Sequence, residues 1–177
     1  MAGEFKADIE RIRKEARDHI EQGPITDAYG ADLERVVDVL NTVLATELVC
    51  VLRYKRHYYM ASSLNAAPVA AEFLQHANDE QGHADQVAMR ITQLDGKPDF
   101  DPDGLADRSH ADYVEGETLL DMVREDLVAE RIAIGSYQEI VRWLGDDDPT
   151  TRNLIETILA VEEEHADDLL SILQELG

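Results

Sequence analysis

The sequence predicts an all-α protein, an antiparallel four-helix bundle with one long crossover and an extra helix at its N-terminus. Three observations carry this reading. Four long stretches keep a helical apolar period, their connections run short, long and short, and no stretch carries a β-hairpin signal. Short loops force antiparallel neighbours, whereas a long one can cross the bundle.

The elements follow in order. Residues 4–22 carry Phe5, Ile9, Ile12, Ala16 and Ile20 at helical spacing, and Gly23-Pro24 ends the segment. So narrow an apolar stripe must dock, either on its own bundle or on a neighbouring subunit. Residues 1–26 are therefore read as an N-terminal helical extension and 27–177 as the bundle domain. Helix A is expected over about 31–62, where Val36, Val39, Leu40, Val43, Leu44, Val51 and Tyr54 hold the period. Asn65-Ala66-Ala67-Pro68 makes a turn, with Pro68 suited to the first turn of helix B, expected over 68–95 and stopped by Gly96. Residues 97–114, rich in Asp, Gly and Pro, form the crossover, with room for a turn of helix. Helix C is expected over 115–144 and ends at Gly145; Asp148 then caps helix D, which runs to about residue 176.

A chain of 177 residues, 44% apolar and 31% charged, suits one domain with a sizeable core. It carries 38 acidic against 16 basic residues, a formal net charge of −22. Such a surface repels phosphate backbones and anionic membranes, so neither nucleic acid nor membrane is an expected partner, and cations are. The lone Cys50 makes no internal disulfide, no apolar run approaches the ~20 residues of a bilayer span, and MAGEFKADIERIRKE is too charged for a signal peptide. A soluble, cytoplasmic protein is expected.

Two histidines have a glutamate three residues upstream, Glu80-x-x-His83 and Glu162-x-x-His165, a spacing that puts both side chains on one helix face. Glu47 precedes Glu80 by 33 residues and Glu130 precedes Glu162 by 32, so each helical hairpin offers Glu and then Glu-x-x-His. All six fall where core residues belong. Glu47 shares a face with Val43, Leu44, Cys50, Val51 and Tyr54; Glu130 with Leu127, Ala133, Ile134 and Tyr137; Glu80 with Ala77, Ala84 and Val87; Glu162 and His165 lie between Ile158 and Leu169. Buried carboxylates are costly unless paired or bound to metal, and four together repel one another. Two divalent ions cancel four such charges, and two neutral imidazoles complete the set. Carboxylate and imidazole donors suit iron or manganese better than copper(I) or an iron–sulfur cluster, with zinc as a further substitute. Any one of these glutamates, taken alone, reads as a solvated helix face, as do Glu139, Glu163 and Glu164. His19, His57, His76 and His110 read as structural. Tyr54 follows Glu47 by seven residues and Tyr137 follows Glu130 by seven, which points each tyrosine towards its own glutamate. There it either hydrogen-bonds a ligand, supplies an electron in oxygen chemistry, or simply packs; Tyr54 is the catalytic candidate. Asp79 is placed to orient a liganding imidazole.

At these residues the chain resembles the bacterioferritin branch of the ferritin-like superfamily. The matching segments are Glu47-Leu48-Val49-Cys50-Val51-Leu52-Arg53-Tyr54, Asp79-Glu80-Gln81-Gly82-His83-Ala84-Asp85, Asp126-Leu127-Val128-Ala129-Glu130 and Glu162-Glu163-Glu164-His165. The resemblance implies two irons per subunit, with Glu47 and Glu130 as terminal ligands, Glu80 and Glu162 bridging, and His83 and His165 holding one metal each. It implies a ferroxidase that oxidises Fe2+ with O2 or H2O2 and stores ferric mineral in a hollow homo-oligomeric shell. The family's haem-ligating Met, next to the second-helix Glu, is Gln81 here, so haem is not expected there; Met60 and Met89 are the thioethers to consider elsewhere. Only 12 residues follow His165, too few for a fifth helix, and an N-terminal helix is added. Together these three departures resemble the Dps-like branch and favour 12 subunits over 24, although one cysteine makes no cysteine pair. The alternatives are a di-iron or dimanganese peroxidase or catalase on the same bundle, and a metal-free helical interaction protein.

Overall fold

The computed structural model describes residues 6–64 and 66–176; the expectations for Glu4, Phe5 and Asn65 lie outside them. Among the described residues there are six α-helices and no strand: α1 Ile9–Asp18, α2 Leu33–Ser63, α3 Ala67–Gln93, α4 Leu105–Arg108, α5 Leu119–Leu144 and α6 Pro149–Leu176. Helices α2, α3, α5 and α6 are the expected A to D. They pack as two hairpins, α2 on α3 and α5 on α6, joined through α2–α5 and α3–α6 contacts.

Helix ends follow side-chain chemistry. Asp32 caps α2 by accepting from the Arg35 amide, and Asp148 accepts from the Thr151 amide at 2.9 Å at the start of α6. Helix α5 starts four residues later than the period suggested. Thr118 and Asp121 form a reciprocal capping box, and Gly116 before them takes φ 63°. A Cβ on Gly116 would lie 2.8 Å from the Met122 amide nitrogen, so only glycine fits this turn.

The crossover lies along α2. Asn41 donates to the Lys97 carbonyl and accepts from the Asp99 amide, and Thr46 Oγ1 accepts from the His110 amide at 3.0 Å. The expected turn of helix within it is α4, which packs on α2.

Two apolar clusters fill the bundle. One gathers Val36, Leu40, Leu44, Val87, Ile91, Leu144 and Ile155; the other gathers Tyr54, Phe73, Met122, Val123 and Leu169. On every long helix the candidate metal-binding residues fall in sequence between the positions that feed these clusters. A polar layer therefore sits between two apolar ones.

Buried ion pairs fasten each hairpin to the other. Asp126 on α5 accepts from Arg53 Nε at 2.8 Å and lies 2.8 Å from His57 Nδ1, both on α2, with all three side chains at 0–1% exposure. His57 Nε2 faces the Glu115 carbonyl at 2.8 Å. Arg90 on α3 meets Asp148 at 3.0 Å, and Tyr29 donates to the same carboxylate. Burial works against the Asp148 charge, but bonds from Thr151, Tyr29 and Arg90 outweigh it and hold the carboxyl below its ordinary value.

Helix α1 buries no residue, and Ile9, Ile12 and Ile20 are exposed. Ile12, Ala16, Ile20 and Ile25 line an open cleft. Of the two docking partners expected for this stripe, its own bundle does not cover the described positions Ile9, Ile12 and Ile20.

Removing one side of the Asp126 triad strands a buried charge. Asp126→Ala should cost about 3–5 kcal/mol in urea unfolding of the chelator-treated protein. Arg142→Ala, at an exposed pair with Glu139, should cost less than about 1 kcal/mol.

Candidate metal centre

All six residues singled out by the Glu and Glu-x-x-His spacing meet in the centre of the bundle. Glu47, Glu80, Glu130 and Glu162 are 0–1% exposed, His83 is 5% and His165 is 3%. Each sits mid-helix, on the face that its neighbours Val43, Ala84, Ala133 and Ile158 bury. The surrounding helices are long and unbroken, so these side chains are positioned by rigid backbone.

The donor atoms form two overlapping groups. Glu47, Glu80, His83 and Glu162 offer four atoms within 4.8 Å of one another, and so do Glu80, Glu130, Glu162 and His165. Glu80 and Glu162 belong to both. His83 Nδ1 lies 3.0 Å from Glu162 and 3.3 Å from Glu47; His165 Nδ1 lies 3.4 Å from Glu162 and 3.5 Å from Glu80. Glu80 Oε1, Glu130 Oε2, both oxygens of Glu162 and both ring nitrogens of His165 are buried without a hydrogen-bond partner. Buried polar atoms are ordinarily satisfied. Orphaned oxygens and nitrogens converging from four helices fit a pair of cations, and hard carboxylate with imidazole fits iron, manganese or zinc.

Two tyrosines complete the layer, and here the structure corrects the spacing argument. Tyr54 donates to Glu130 Oε1 and Tyr137 donates to Glu47 Oε1, each across the bundle rather than to the glutamate on its own helix. Seven residues along a helix give nearly the same face, but a ring reaches over the gap to the facing hairpin. Asp79 Oδ2 lies 3.5 Å from His165 Nε2 without hydrogen-bonding it. Glu139, Glu163 and Glu164 are exposed. Cys50 is buried beside Arg53, with Nη2 and Sγ 3.5 Å apart.

His76 is one of four histidines that read as structural from the sequence, with His19, His57 and His110. It is fully buried, its ring stacks on His165 with centroids 3.9 Å apart, and Nδ1 lies 3.3 Å from the Tyr54 hydroxyl. The missed signal was position: His76 stands four residues before Glu80, one turn along the same face.

Charge is balanced by protons when no cation is bound. Burial, then the Glu80 carboxylate, raise Glu47 to about 8, and burial with Glu80 and Glu162 lifts Glu130 well above the ordinary carboxyl range. Burial alone would lower His83 and His165, but the carboxylates around them outweigh it, raising His83 to about 12 and His165 to about 11. Burial and then the neighbouring His165 hold His76 down to about 3.

Comparison with known proteins agrees with this geometry. Residues 37–177 match the family described as a Ferritin-like domain. Bacterioferritin BfrA of Mycobacterium tuberculosis is 31% identical over 146 residues, covering 80% of this chain and 87% of the relative. Bacterioferritin of Rhodobacter capsulatus is 27% identical over 150 residues, covering 81% and 87%. The solved structure of a dodecameric thioferritin, the bacterioferritin-related protein from Bacteroides fragilis, superposes with a TM-score of 0.78 at 31% identity, covering 83% of this chain and 89% of that one. The chain belongs to the ferritin-like family and is of the bacterioferritin type. In this ferritin-like chain Gln81 is exposed and bonds Asp85 at 3.0 Å, and Met60 and Met89 are exposed. No helix among the described residues is long and apolar enough to cross a membrane.

The raised values set a pH dependence. Between the ordinary carboxyl value of 4.5 and about 8, folded Glu47 holds a proton that the unfolded chain has lost; His83 does the same from 6.5 up to about 12. In both windows the unfolded chain binds fewer protons, so stability falls as pH rises. In chelator, the thermal midpoint should be lower at about pH 8.5 than at about pH 6, and Glu47→Gln should flatten that slope.

Proposed function

We propose that this protein oxidises ferrous iron at a two-metal carboxylate centre and deposits the ferric product inside a hollow homo-oligomeric shell. The observation that carries this reading is the sharing of Glu80 and Glu162 between two four-donor groups. Membership of the bacterioferritin-type family supports it.

In this reading Fe2+ is the substrate. Glu47 and His83 hold one ion, Glu130 and His165 the other, and Glu80 and Glu162 bridge them. Two ferrous ions give one electron each. O2 takes the two electrons with two protons to leave H2O2, or H2O2 takes them with two protons to leave two waters. Anionic carboxylates favour the more highly charged ferric product, which lowers the potential of the bound iron. His83, His165, Glu47 and Glu130 release their protons as cations enter, because a metal ligand must be deprotonated. Tyr54 and Tyr137, donating to Glu130 and Glu47, fix the rotamers of those carboxylates. A shell of twelve subunits is the expected assembly, by likeness to the dodecameric relative from Bacteroides fragilis.

Two measurements test the reading. Anaerobic Fe2+ titration followed by oxidant should show ferric absorbance after uptake of two ions per chain. Glu47→Ala and His165→Ala should each slow that absorbance at least about tenfold, since even outer partners of metal ligands carry such factors. Unchanged rates would refute the centre, and a dimer in sizing would refute the shell. Tyr54→Phe should keep the metal content and slow oxidation about tenfold, because it loosens a ligand without removing one.

A further inference from the structure

We propose that Glu72, His76 and Asp168 form a separate site for one divalent cation of borderline hardness, such as Zn2+ or Fe2+, at the α3–α6 surface beside the bundle centre. This site goes beyond the ferroxidase reading and stands without it. His76 lies at the floor and is 0% exposed, while Glu72 and Asp168 at the rim are 31% and 46% exposed. Glu72 precedes His76 by one turn of α3, on the same face, and Asp168 comes from α6. One donor atom from each residue lies within 4.8 Å of the other two.

The hydrogen bonds around His76 decide which nitrogen is available. Tyr54 donates its one hydrogen to Glu130, so its oxygen is left to accept from His76 Nδ1–H. Nε2 then carries a lone pair, and it is buried without a hydrogen-bond partner. It faces Glu72 Oε1 at 3.4 Å and Asp168 Oδ2 at 3.9 Å. A lone pair set against two carboxylate oxygens is unfavourable unless a cation lies between them. The separations suit that arrangement: donors about 2.1 Å from a tetrahedral ion stand about 3.4 Å apart. An imidazole and two carboxylates, open to solvent on one side, is a donor set for a borderline or hard divalent ion.

Zn2+ titration of the full chain, with competition from a chromophoric chelator, tests the assignment. The Glu72→Gln/Asp168→Asn variant should bind one equivalent fewer than the parent, with unchanged circular dichroism, since both changes are isosteric at partly exposed positions. The exposed control Glu163→Gln/Glu164→Gln should bind as the parent does. Equal stoichiometry in the parent and the Glu72/Asp168 variant would overturn the site, and so would an equal loss in the control. If only Glu47→Gln/Glu130→Gln loses equivalents, the central pair stands and this site falls. If only the Glu72/Asp168 variant loses one, this site stands and the central pair falls.

Discussion

Four carboxylates packed into one helix-bundle interior are the constraint around which the rest of this protein is arranged. Their mutual repulsion and their loss of hydration both oppose folding. Protons on Glu47 and Glu130, two imidazoles and two tyrosine hydroxyls offset that opposition when no cation is present. Two apolar clusters flank the polar layer and hold the helices at the separation the layer needs. The centre is thus tolerated by the fold rather than stabilising it, which is the usual relation between a binding site and the scaffold that carries it.

The two hairpins are tied together by their chemistry as well as by their apolar faces. Tyr54 on α2 reaches Glu130 on α5, and Tyr137 on α5 reaches Glu47 on α2. The Arg53–Asp126–His57 cluster joins the same two helices, and Arg90–Asp148 joins α3 to the start of α6. These contacts set the relative height of the hairpins. A shift of one turn between the hairpins would carry Glu162 away from Glu47 and Glu80, and Glu80 away from Glu130 and Glu162. Register between hairpins therefore decides whether two donor groups overlap or two separate pairs of carboxylates remain, one in each hairpin.

The layer continues outward through aromatic rings. His165 stacks on His76, and Nε2 of His76 turns away from the centre towards Glu72 and Asp168. Tyr54 touches both Glu130 and His76, so one hydroxyl orients a carboxylate inside and an imidazole further out.

Much of this was legible in the chain. Helical periods, the Gly145 and Asp148 signals and the repeated Glu, Glu-x-x-His spacing determined the four helices and the six central residues, because burial and side-chain direction on a helix are local, periodic properties. Only the tertiary structure decided which partners meet across the gap. It exchanged the tyrosines between hairpins, brought Arg53 and His57 to Asp126, and turned His76 from a core residue into a neighbour of the centre. It also left the stripe of α1 uncovered by its own bundle. Those outcomes depend on the distance and register between helices far apart in sequence, and no period within a single helix encodes them.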